Sequence, residues 1–66
     1  MIIGKRLKEL RQEKNISQKE IADAIGVDIS SISYWENEIY EPKASYIFKL
    51  AKFFDVTSDY LLGLED

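Results

Sequence analysis

A helix stop at Gly26, set between helix starts at Ser17 and Asp28, constrains this chain more than any other feature. Ser17-Gln-Lys-Glu is a capping box: the Ser17 hydroxyl can accept from the backbone N–H of Glu20 while the Glu20 carboxylate reaches back. It starts a helix over residues 18–25, with Ile21, Ala22 and Ile25 on one face. Glycine at position 26 enters the left-handed conformation without a Cβ clash, so the chain can turn sharply there. Val27 can plug the turn. Asp28 suits an N-cap and places a carboxylate at the positive end of a second helix, expected over 29–37. Ile32 and Trp35, three residues apart, mark the inner face of that helix. Ala22 must be small, because the second helix crosses close above it.

Two such short helices need a core from the rest of the chain. Ile3, Leu7 and Leu10 fall at i, i+4 and i+7, one face of a helix over 4–14, and Asn15 suits the position just past its end. Residues 38–43 read as a loop, because Pro42 disfavours helical geometry at Glu41. A helix over 44–54 places Ile47, Leu50, Ala51 and Phe54 at helical spacing. Thr57 caps a brief last helix over 58–62, ended by Gly63. No strand alternation, internal repeat or low-complexity stretch competes. With 66 residues, the expectation is a single all-α domain over 1–66: five short helices on one core.

Composition narrows the function. The chain has no cysteine and no histidine, which removes disulfides, thiolate zinc sites and the commonest general base. A chain this short has little room for a deep substrate pocket beside its core. Asp23, Asp28, Glu36 and Glu38 have no accompanying nucleophile or metal-ligand set, so no enzyme, cofactor or small-molecule substrate is expected. No apolar run has the length of a membrane span or signal peptide, and a cytoplasmic location is expected, with no membrane partner. Net charge is −3, unevenly spread. Lys5, Arg6, Lys8, Arg11, Lys14 and Lys19 stand against Glu9, Glu13 and Glu20 in the first twenty residues. Lys43, Lys49 and Lys52 are set among the remaining acids. The basic N-terminal third permits a surface that faces nucleic acid without demanding one.

The unit over about 17–37 is a helix-turn-helix. Its stretches Ser17-Gln-Lys-Glu-Ile-Ala, Ile25-Gly-Val-Asp and Ser31-Ile-Ser-Tyr-Trp-Glu-Asn resemble the Cro/phage-repressor (xenobiotic-response-element) family of DNA-binding domains. Leu7-Lys-Glu-Leu-Arg resembles that family's first helix. Glu41-Pro, Leu50-Ala and Val56-Thr-Ser-Asp-Tyr-Leu-Leu-Gly resemble its last two. The resemblance implies a bacterial or phage repressor-like fold, with Ala22, Gly26, Val27, Ile32 and Trp35 holding the motif together. It also implies sequence-specific binding of double-stranded DNA in the major groove, and transcriptional regulation by repression.

Carried onto this sequence, the family pattern puts Ile29, Ser30 and Tyr34 against base edges, with Ser33 a further candidate. Gln18 falls where the family contacts phosphate or a base. Ser17 and Lys19 share the helix N-terminus aimed at phosphate. Asn37 and Lys43 would hold the next phosphates. Arg11 and Glu36 resemble a structural ion pair bridging the first and third helices, with phosphate contact by Arg11 secondary. Ile29 departs from the pattern, since it can only touch a thymine methyl. The recognition helix also lacks Lys and Arg.

Other readings stand beside these. Gln18, Ser30 and Ser33 can be ordinary surface residues, and Tyr34 can pack on Tyr40. Lys5 and Lys8 read best as a solvated face. Tyr46, Phe48, Phe53 and Tyr60 exceed what the core face needs. With Leu61, Leu62 or Leu64 they form either a homodimer seam through the C-terminal helices or a thicker core edge. The chain could be a complete regulator or the N-terminal piece of a longer one. The competing function is a protein-interaction module of antitoxin or anti-repressor type that uses the same fold against a protein.

Overall fold

In a computed structural model, residues 2–66 are described. Five helices follow one another: α1 (Ile2–Glu13), α2 (Gln18–Ile25), α3 (Ile29–Glu36), α4 (Ala44–Phe54) and α5 (Ser58–Leu62). The described residues contain no strand. Each helix sends one fully buried aliphatic side chain to the centre: Leu7, Ile21, Ile32, Leu50 and Leu61. Ile3, Leu10, Ala22, Ile25, Trp35, Ala51 and Phe54 complete the core around them. Burying one such side chain contributes about 1.5–3 kcal/mol relative to leaving it exposed, so no helix is dispensable.

The local signals act as the sequence suggests at α2. Ser17 Oγ accepts from Glu20 N–H at 3.0 Å, and Glu20 Oε1 accepts from Ser17 N–H at 3.1 Å. Gly26 takes φ 79°, and the N–H groups of Gly26 and Val27 both donate to Ala22 O. That six-to-one closure is how a left-handed residue ends a helix while satisfying its last carbonyls.

Several expectations need correction. α1 starts at Ile2 and ends at Glu13, against the expected 4–14. Gly4 does not begin the helix; it is buried inside it. An added Cβ there would collide with the Trp35 carbonyl oxygen and lie 3.2 Å from Glu36 O. Gly4 therefore lets α1 lie against the last turn of α3. α3 stops at Glu36, and Asn37 is its C-cap, with its N–H bonded back to Ser33 O. Asp28 occupies the N-cap of α3, but its side chain makes no capping hydrogen bond. Leu61 is core and so is unavailable to a seam. Tyr46 and Tyr60 are half-buried against the core. Tyr46 meets Trp35 at 5.5 Å between ring centres. Val27 and Ile47 are also only half-buried.

Candidate nucleic-acid interface

α3 presents two faces. Ile32, Trp35 and Glu36 point inward, as 3.6-residue spacing requires. Ile29 (51% exposed), Ser30 and Tyr34 (42% exposed) point outward. Three of the expected base-facing residues thus share one open surface. Ser33 lies at its edge and is half-buried. Its carbonyl and hydroxyl accept from Asn37 Nδ2, at 2.9 and 3.3 Å. Tyr34 does not stand alone: its ring meets Tyr40 edge-on, with centroids 5.4 Å apart and planes at 81°. The loop after α3 thereby supports this ring without covering it.

α3 is held in place by its inward carboxylate. Arg11 of α1 donates to Glu36 from Nε at 2.6 Å and from Nη2 at 3.0 Å, a forked ion pair. Gln18 of α2 donates to the same carboxylate from Nε2 at 3.1 Å. Arg11 Nη1 also reaches Ile16 O at 3.3 Å. Glu36 thus ties three helices together, with its side chain only 2% exposed. The hydrogen bond to Glu36 raises the Arg11 pKa, burial opposes this, and the carboxylate's charge adds to the rise. Among the described residues no buried side-chain nitrogen or oxygen lacks a partner.

The N-terminus of α2 lies beside this junction. The first N–H groups of a helix have no intrahelical acceptor. Ser17 Oγ takes that of Glu20, so the cap leaves those of Gln18 and Lys19 to other acceptors. Lys19 Nζ pairs with Asp23 at 3.0 Å, both side chains well exposed, so the pair is weak and easily exchanged for a phosphate. Lys43 is exposed at the N-cap of α4.

The basic N-terminal third is not one surface. Arg11 is committed to Glu36. Arg6 turns to the other end of the chain: Nη1 donates to Tyr60 O at 2.7 Å and Glu65 O at 2.6 Å. Its guanidinium also sits 4.4 Å from the Tyr60 ring centre. Sequence reasoning missed this clamp, since a partner so distant in the chain leaves no local signal. It also missed the bond from Gln18 to Glu36. The hint available was a glutamine opening α2 opposite an inward carboxylate. Among the described residues no cluster of three or more acids, histidines or cysteines is placed to hold a metal ion, and no helix is long and apolar enough to cross a membrane.

A family model described as helix-turn-helix matches residues 7–61. The chain belongs to the helix-turn-helix family. Its relatives include the HTH-type transcriptional regulator ImmR of Bacillus subtilis, 36% identical over all of this chain and 52% of that protein. The chain therefore spans about half the length of that relative. The P22 c2 repressor in complex with a synthetic operator superposes with a TM-score of 0.86 at 30% identity, over 92% of both chains. The biofilm regulator SinR in complex with DNA gives 0.83 at 34% identity, over 91% of this chain and 97% of that one. The five-helix, repressor-type fold is thus shared with regulators solved on DNA. In this helix-turn-helix chain Gly26 and Val27 follow the end of α2, and Ala22 of α2 and Ile32 and Trp35 of α3 are buried in the core.

Proposed function

We propose that this helix-turn-helix chain binds duplex DNA by laying α3 in the major groove and regulates transcription, as a repressor, by occupying its operator. One observation carries the reading: Ile29, Ser30 and Tyr34 share an open face of a helix whose opposite face is braced to α1 and α2 through Glu36. A rigid helix with a polar and aromatic outer face is what groove readout requires. In this reading Ser30 and Tyr34 reach base edges, with Ser33 at the margin, and Ile29 meets a thymine methyl. The first N–H groups of α2, at Gln18 and Lys19, take one phosphate, and Asn37 and Lys43 the next. Gln18 keeps one amide hydrogen and its carbonyl oxygen for DNA while bonded to Glu36. Ser17 serves by capping, and Arg11 by bracing α3. No catalytic step, cofactor or small-molecule substrate enters, and the regulator works in the cytoplasm.

Binding as a homodimer to half-sites about one helical turn apart fits the reading. The C-terminal end offers a seam, because Leu62 (43% exposed) and Ile2 line one small cavity with Ile3, Pro42 and Ile47, and Leu64 is exposed just beyond α5. The absence of Lys and Arg from α3 favours a second reading, in which the same face meets a protein. Selection from a random duplex library at low salt separates the two. Enrichment of a palindrome, weakened by Tyr34→Ala and by added salt, supports DNA binding. A blank result, repeated with a fused dimerisation segment, refutes it.

A further inference from the structure

α4 is the one helix among the described residues that carries lysines and no acid: Lys49 and Lys52 in a chain of net charge −3. Its outer face also exposes Phe48 (57%) and Phe53. Between this face and the last turn of α2 runs a groove of about 410 Å³, lined by Ala24, Ile25, Lys49, Lys52 and Phe53. Its floor is apolar and its rim is cationic. Lys49 and Lys52 are held over aromatic rings, with ammonium groups 5.6 Å from the centre of Tyr46 and 5.3 Å from that of Phe48. Such contacts steady the stems while leaving the charged heads in water.

The acids of α2, the other wall, are already engaged. Asp23 pairs with Lys19, and Glu20 folds back on the Ser17 N–H. Neither Lys49 nor Lys52 meets a carboxylate among the described residues. An apolar groove rimmed by two uncompensated cations complements a segment that is apolar along one side and acidic beside it. We propose that the α2–α4 groove docks an acidic, amphipathic protein segment, with an aromatic or aliphatic side chain between Ile25 and Phe53 and carboxylates on Lys49 and Lys52.

A second copy fits less well. Symmetric pairing of two α4 faces would set these lysines against themselves, and head-to-tail pairing would give a ring or an open filament in place of a simple pair. The groove shares no residue with the outer face of α3, so a partner seated here leaves that face free. The inference therefore goes beyond DNA binding and does not rest on it.

The test uses a blocked synthetic peptide, Glu-Asp-Leu-Phe-Asp-Glu-Leu, and an analogue with Gln and Asn for every acid. Each is titrated into the full chain, and the amide and methyl resonances are followed. The acidic peptide should shift Ala24, Ile25, Lys49, Lys52 and Phe53, and the analogue should not. Lys49→Gln with Lys52→Gln should weaken binding about tenfold, and Arg at both positions should retain it. The proposal is overturned by silence at low salt, by equal binding of the analogue, or by shifts centred on α3. Sedimentation showing self-association that the Gln pair abolishes would assign the groove to a second copy and also overturn it. Duplex binding by the Gln pair, at near-physiological salt, should match the parent within about twofold because the Debye length there is about 8 Å. A larger loss would assign the face to DNA instead.

Discussion

Gln18 and Arg11, from different helices, donate to the same oxygen of Glu36, at 3.1 and 3.0 Å. The shared acceptor links the start of α2 to the end of α3, so the two elements proposed to touch DNA cannot tilt independently. Glu36→Ala should destabilise the fold by about 2–4 kcal/mol, because it strands a partly buried guanidinium and an amide. Urea denaturation measures this, and a loss under about 0.5 kcal/mol would show that the junction is not structural.

Gly4→Ala sets two effects against each other. Helix propensity favours alanine by about 1 kcal/mol. The new methyl, however, falls on the Trp35 carbonyl, which is backbone and cannot rotate away. Overpacking of that kind typically costs about 1–3 kcal/mol, so the net change should be destabilising. A raised melting temperature would contradict the close approach of α1 and α3.

Ser17→Ala and Asp28→Ala should differ although both residues are N-caps. Ser17 makes its bond and should cost about 1 kcal/mol when removed. Asp28 makes none and offers only its charge to the helix dipole, so its loss should cost about half as much or less. Parallel thermal melts decide, and equal losses would mean that Asp28 caps α3 in solution.

Tyr34→Ala should reduce duplex affinity by about tenfold or more at fixed salt while leaving the helical circular dichroism intact. Tyr40→Ala should reduce it less, by releasing the ring that Tyr40 supports at 5.4 Å. A double-mutant cycle should return a coupling of about 0.5–1.5 kcal/mol. Additive losses would mean that DNA draws Tyr34 away from Tyr40.

Where sequence carried the structure, the cause was local. The box at Ser17 and Glu20 needs only a four-residue reading, and Gly26 announces itself through backbone sterics. The outward set on α3 came from the family resemblance, and the helical period of Ile32 and Trp35 agrees with it. What sequence hid was distant or ambiguous. Arg6 finds its acceptors 54 and 59 residues away. Gly4 looked like an edge because glycine marks helix ends more often than helix crossings. Leu61 and Leu62 are adjacent leucines, and which one faces the core depends on how α5 docks against α1 and α4. For Tyr34 the sequence offered an outward ring or packing on Tyr40, and both hold: the ring is exposed and meets Tyr40 edge-on.

The Arg6 clamp has a kinetic side. The joint between α2 and α3 closes over a few residues and can form early, whereas the clamp needs both ends of the described chain. Its bonds then belong on the native side of the folding barrier. Loosening them would leave the folding rate nearly unchanged and speed unfolding. Arg6 in that case sets how long the folded state lasts once formed, while the glycine turn governs how soon it appears.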